Sequence, residues 1–286
     1  MKKTTRISVA RQFCRNAPGP LVLVTTMGAL HEGHAALFRR ARHVAGSKGT
    51  VVVSIFVNPK QFAPTEDLSK YPRPLAADLA LCQREKVDLV FHPSVEEMYT
   101  PDDSMKIEEN QLSLGLCGRS RPGHFSGALT VIAKLFNILS PDVVIFGEKD
   151  WQQLALVRRL VRDFNYPIKV IGHPTVREHD HLALSSRNTY LSPEARALAP
   201  AIYQALQATA QRVKQGETSV SKLITATQRA LTAISKASID YIEIVNEATL
   251  QPLTKLQRGT AQARLLVAVR LGNTRLIDNQ ALLLPR

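Results

Sequence analysis

The densest chemistry in the chain lies in TTMGALHEGH, residues 25–34, where two glycines and two histidines follow directly on the apolar run 21–24. Core packing has no use for such a composition. Gly28 and Gly33 would let the backbone approach a bulky anion, and a helix starting near His34 would offer unpaired amides and a favourable dipole to phosphate. His31 and His34, three apart, could donate to that anion, chelate a metal, or be satisfied structural side chains; chelation needs a third ligand that the sequence does not supply. Three more polar clusters carry donors. NPKQF brings Gln61, GEKDWQQ brings Lys149, Asp150 and Gln153, and LSSRN brings Ser185, Ser186 and Arg187. Cations and amides of this kind neutralise and orient a charged substrate, and none of them is a nucleophile.

The elements needed to bring these clusters together are legible as a pattern. Short β-branched runs at 21–24, 50–57, 87–91, 142–146 and in IKVIG alternate with helical patterns at 35–44, 75–86, 127–139 and 152–164. That alternation predicts an α/β fold with a doubly wound parallel sheet. After about residue 175 the pattern changes: Ser192 as N-cap and Pro193 at the first helical position open a helix that ends at Gly216, a second helix covers about 220–236, and three strand-like segments follow. The expected organisation is therefore a domain over 1–175 and a smaller α+β domain over 176–286. TMGALHEGH, NPKQF and GEKDWQQ each follow a strand, at the carboxyl edge where open α/β sheets bind ligands.

Composition narrows the classes. The chain has 286 residues, 44% apolar and 21% charged, as a globular protein of about two domains would. No apolar run approaches the roughly 18 residues of a membrane helix, and Arg6 and Arg11 interrupt the N-terminus before a signal core could form, so the expected location is the cytoplasm, without membrane partners. Cys14, Cys82 and Cys117 have no paired spacing, which predicts neither a disulfide nor a zinc motif. The 37 Lys+Arg against 24 Asp+Glu, a net charge of +13, favour anionic partners. The basic residues are spread along the chain, and the cluster Arg39, Arg40 and Arg42 has no interleaved aromatics, so a nucleic-acid partner is not expected.

His31-Glu32-Gly33-His34 resembles the His-x-Gly-His signature of the nucleotidyltransferase superfamily, whose fold is Rossmann-like. Together with SIFVNPKQF, RPGHFSGALTVIAKLFNI, FGEKDWQQL and TVRE…LALSSRNTYL, in that order over most of the chain, it closely resembles the pantothenate synthetase (pantoate–β-alanine ligase) family. The resemblance implies ATP-dependent condensation of pantoate with β-alanine through a pantoyl adenylate, with release of pyrophosphate and AMP, Mg2+ accompanying ATP, and a homodimer. By position it places ATP against Met27, Gly28, Ala29, Leu30, His31, Glu32, Gly33 and His34, against Gly147, Glu148, Lys149 and Asp150, and under Val176, Leu184, Ser185, Ser186 and Arg187. His31, His34, Lys149, Ser185, Ser186 and Arg187 are its catalytic set; for His34 the sequence leaves open hydrogen bonding or proton donation. Gln61 and Gln153 are its residues for pantoate and β-alanine, with Met27 and Phe56 available to the gem-dimethyl carbon.

The chain departs from the family pattern in five places. Thr25 stands for a common Pro, Lys60 and Leu184 for Met, His181 for Gly, and Cys117 for an acidic residue. Another His-x-Gly-His nucleotidyltransferase is the rival within the superfamily; it would have no use for the paired glutamines. A basic nucleic-acid-binding protein is the rival outside it, and would leave the ordered motifs idle.

Overall fold

β-Branched residues line successive strands of the N-terminal half, and their alternation sorts them onto two buried faces. The computed structural model describes residues 1–64, 66–257 and 262–285. In chain order it has β1 (Lys2–Thr4), α1 (Ile7–Arg15), β2 (Leu21–Thr26), α2 (Glu32–Ala45), β3 (Thr50–Ile55), α3 (Leu75–Arg84), β4 (Leu89–Phe91), α4 (Val95–Met98), α5 (Leu116–Ser120), α6 (His124–Leu139), β5 (Val143–Gly147), α7 (Trp151–Asp163) and β6 (Lys169–His173). These strands form one all-parallel sheet in the order β1-β4-β3-β2-β5-β6. Leu21, Leu23, Val52 and Val144 face a core shared with α6 and α7, whereas Val22, Val24, Val51, Val53 and Ile145 face one shared with α2. A sheet buried on both faces needs the near-continuous apolar strands seen here. Strand order reverses between β2 and β5, which makes their carboxyl ends the ligand-binding crevice of the fold.

The remaining elements are α8 (Pro193–Leu198), α9 (Pro200–Lys214), α10 (Val220–Thr232), β7 (Ala237–Asn246), β8 (Ala263–Leu271) and β9 (Thr274–Leu282), the strands forming an antiparallel sheet in the order β7-β8-β9. β8 is apolar on both faces for a reason. Leu265, Val267 and Val269 pack with α9 and α10, while Leu266 and Ala268 join Tyr241 and Val245 in the core of the parallel sheet. The small sheet is thus fastened to the large one by shared apolar burial.

Three local expectations are corrected. The helix expected from Ser192 to Gly216 is two helices, because Pro200 offers no N–H to continue the first; Ser192 does cap, accepting from Ala195 N at 3.2 Å. α2 begins at Glu32, ahead of the expected 35–44, because His31 is its cap. β1 and α1 were not expected: a three-residue edge strand and a nine-residue helix are too short for periodicity to reveal.

Candidate active site

A cleft of about 930 Å3 opens at the carboxyl ends of β2 and β5. The chain through α7, its parallel-sheet side, lines it with Thr25, Thr26, Met27, His31, Gly33, His34, Phe56, Gln61, Gly147, Lys149, Asp150 and Gln153, and the chain after β6, its far side, lines it with Val176, Leu184–Arg187 and β9 from Thr274 to Asn279. Residues from Thr25 to Asn279, far apart in sequence, therefore face one volume.

The histidine turn is held by its own hydrogen bonds. His31 Nδ1 accepts from Gly33 N at 3.1 Å, and His34 Nδ1 accepts from His31 N at 3.3 Å, a reciprocal capping box made of two imidazoles. A ring whose Nδ1 accepts from an amide keeps its proton on Nε2, so each histidine is a donor. Burial, with the Lys149 charge adding to it, pulls His31 down to about 4; burial, then His31 and Lys149, pulls His34 down to about 3. Both imidazoles are neutral at physiological pH. The rings lie 4.2 Å apart.

Gly28 has φ +83°, which favours glycine, and a Cβ there would meet Asp78 Oδ2 at 3.0 Å. The Asp78 carboxylate, from α3, accepts from Ala29 N at 3.0 Å and Leu30 N at 2.8 Å. Those amides are already satisfied within the chain. Burial raises the Asp78 pKa above the usual carboxylate range although both amide bonds oppose it.

Gln61 closes the 3-10 turn Pro59–Gln61. Asn58, 1% exposed, donates to Gln61 Oε1 at 3.2 Å and to Gly127 O at 3.1 Å, and accepts from the Tyr99 hydroxyl at 2.8 Å. Gln61 Nε2 meets Met27 Sδ at 3.0 Å, and its carbonyl oxygen bonds His124 Nδ1 at 2.8 Å. Only a glycine at 127 permits this approach of α6 to the turn, since a Cβ would lie 2.0 Å from Lys60 O. Both neighbouring glutamines of α7 border the cleft, but Gln152 is buried with its amide committed to Cys117 N, Leu112 O and Gly115 O, whereas Gln153 is half-buried.

Lys149 and Asp150 sit in a second 3-10 turn, Glu148–Asp150, between β5 and α7. On the far side Leu184 N donates to Val176 O at 3.0 Å, and Ser185 Oγ accepts from Arg187 N at 3.3 Å. Ser186 Oγ lies 3.3 Å from the Tyr71 hydroxyl, and Arg187 Nη2 donates to Asp67 at 3.3 Å. His181 has φ +71°, so the position that the family resemblance gives to glycine does hold glycine-like backbone. Cys117 Sγ lies 3.5 Å from both terminal nitrogens of Arg275, whose charge Asp240 meets at 2.7 Å.

Gly28, Ala29, Leu30, Glu32 and Glu148 do not line the cleft. Gly28 N donates to Thr26 Oγ1 at 3.2 Å, the Ala29 and Leu30 amides are turned to Asp78, and Glu32 pairs with Arg39 on the surface. Reading the sequence left out Asn58, Asp78, His124 and Asn279. Asn58 and His124 stood inside quoted motifs, and Asp78 is a lone carboxylate on the inward face of a helix. Among the described residues no three His, Cys, Asp or Glu side chains form a metal cluster.

The model of the pantoate-β-alanine ligase family matches residues 2–281. Pantothenate synthetase of Thermotoga petrophila is 51% identical over 259 residues, 91% of this chain and 90% of its own; that of Pseudomonas savastanoi is 49% identical over 276 residues, 96% and 94%. The crystal structure of pantothenate synthetase from Thermus thermophilus superposes with TM-score 0.92 at 45% identity over all of both chains. Pantoate-β-alanine ligase from Francisella tularensis, complexed with β-γ ATP and β-alanine, does so with TM-score 0.79 at 33% identity over 98% of this chain and 97% of its own. With its strand order, its histidine turn and a match over nearly its whole length, the chain belongs to the pantoate-β-alanine ligase family.

Proposed function

We propose that this cleft joins pantoate to β-alanine in two steps, with the named side chains in the following roles. The pantoate carboxylate attacks the α-phosphorus of ATP, the bond to the bridging oxygen breaks, and pyrophosphate leaves with that electron pair. The β-alanine amine then attacks the pantoyl carbonyl, loses its proton, and expels AMP. In-line attack between two anions needs charge neutralisation and positioning above all. Lys149 and Arg187 supply positive charge at the cleft. His31 and His34 present neutral Nε2–H donors to phosphate oxygens. Ser185 and Ser186 add hydroxyl donors, and Gly147, Asp150, Val176 and Leu184 hold the nucleoside.

Gln61 and Gln153 take the hydroxyls and carboxylate of pantoate, with Met27 and Phe56 against its methyl groups. Magnesium enters on the ATP phosphates as part of the substrate, since that ion is commonly held by phosphate and water with few protein ligands. We also propose two structural units divided near residue 175, a homodimer in the cytoplasm, and no nucleic-acid partner. The observation that supports the reading best is the meeting of His31, His34, Lys149 and Arg187 with Gln61 and Gln153 around one volume.

The decisive assay follows nucleotide products. AMP and pyrophosphate should form from ATP only when pantoate is present, and pantothenate only when β-alanine is added. Release of ADP and phosphate would reject the acyl-adenylate route.

A further inference from the structure

The turn bearing Lys149 has no side-chain cap of its own. Its backbone is held instead from the small sheet. Asn279 on β9, 4% exposed, donates from Nδ2 to Glu148 O and to Lys149 O, both at 2.9 Å. Its Oδ1 accepts from Arg264 Nη1 at 2.6 Å. Both amide hydrogens and the amide oxygen are thus engaged, and the orientation is unambiguous: carbonyls only accept and a guanidinium only donates.

Arg264 is fixed in its turn. Glu247 Oε1 accepts from its Nε at 2.8 Å, and the guanidinium carbon stands 3.4 Å over the Trp151 ring. Trp151, the first residue of α7, donates from Nε1 to Glu247 O at 3.0 Å. The clamp therefore grips the turn on its carbonyls and grips the helix that follows it. A small sheet that only needed to pack against α7 would do so with Leu266 and Ala268 alone; a buried Arg-Glu-Asn chain ending on two carbonyls is a costly addition unless the position of the turn matters.

We propose that Asn279 is a positioning residue for Lys149, fixing through those two carbonyls the turn that presents the lysine to the phosphates of ATP. The inference rests on the phosphate-binding role given to Lys149 above. It places the determinant of a parallel-sheet residue on the other sheet.

The test is a double-mutant cycle in single-turnover adenylate formation, with saturating ATP and pantoate and no β-alanine. Asn279→Ala should slow this step about tenfold or more, and Lys149→Ala about a hundredfold. The double variant should be no slower than Lys149→Ala within about threefold, because the clamp acts through the lysine. Losses that multiply to about a thousandfold would overturn the proposal. Amide formation from preformed pantoyl adenylate should change less than about twofold in Asn279→Ala. Val269→Ala, a core truncation on the face of β8 away from the cleft, should lower Tm and leave adenylation within about twofold of the parent; slowing equal to that of Asn279→Ala would reduce the clamp to general stability and overturn the proposal. Should Asn279→Ala fail to fold, Asn279→Asp keeps the size and the Arg264 contact but turns an oxygen toward the two carbonyls, and must show the same selective loss. A parent that makes no pantoate-dependent AMP would sink the functional reading itself, whereas an active parent with Asn279 variants at its rate sinks only the positioning role.

Discussion

The two sides of the cleft are built differently. On the parallel-sheet side, the strand-end turns are held by hydrogen bonds among themselves and to the helices behind them: the imidazole capping box, Asp78 on the Ala29 and Leu30 amides, and Asn58 on Gln61. On the far side the segment from Leu184 to Arg187 reaches across by side chains alone, Ser186 to Tyr71 and Arg187 to Asp67, both at 3.3 Å. Asp67 and Arg187 are 26% and 28% exposed. One side is held by bonds within the parallel-sheet unit, as the proposed phosphate-binding role requires, and the other by two side-chain contacts. Preorganised donors contribute most where charge changes during reaction; exchangeable ones suit entry and exit.

The largest expected effect tests the rigid side directly. His34→Ala should slow pantoate-dependent adenylate formation by roughly a hundredfold or more, about 3 kcal/mol for one lost transition-state donor, with ATP affinity changed less. Parent-rate adenylation with collapsed amide formation would move this histidine to the second half-reaction. Next in size, Asp78→Ala leaves two amides of the histidine turn unpartnered and should lower stability by about 2 kcal/mol in denaturant titration. A loss within error of zero would mean the turn holds itself.

Acid should weaken the same side. His31, His34 and His124 are pulled to about 4, about 3 and about 4, in each case mainly by burial. The unfolded chain binds their protons below the ordinary value of about 6.5 while the folded chain does not, so stability falls as pH drops from about 6.5 toward 4 and is fully present above that window. Unfolding midpoints that stay level between pH 7 and pH 4.5 would contradict neutral, buried imidazoles. The smallest effect belongs to the far side. Asp67→Asn should change stability by no more than about 0.5 kcal/mol, as for other partly exposed pairs. A loss matching that of Asp78→Ala would erase the contrast between the two sides.

Much of this was legible because it is local. Alternating β-branched runs and helical periods reveal the parallel sheet, and a histidine-glycine cluster after a strand marks its active edge. What was not legible depends on which side chains meet in the folded chain. Gly28 read as room for an anion, yet its neighbour is Asp78, a partner 50 positions away that no window of sequence connects to it. His34 read as the start of a helix because nothing in the string shows that His31 folds back onto Gly33 N. Gln152 and Gln153 look alike in sequence, and only their angles about α7 bury the first among backbone partners and leave the second half-buried at the cleft.

By itself the sequence determined the class of fold, the motif order that marks the family, and the types of donor available to the substrates. Those follow from side-chain chemistry and from periodicities that repeat within a few residues. Tertiary structure alone decided which amides are left for a ligand, which nitrogen of each histidine carries its proton, and that Asn279 on the small sheet should hold the turn of Lys149. Each of these depends on where a distant carboxylate, amide or guanidinium arrives when apolar burial brings the two sheets together, and that meeting is a property of the packed chain rather than of any stretch of it.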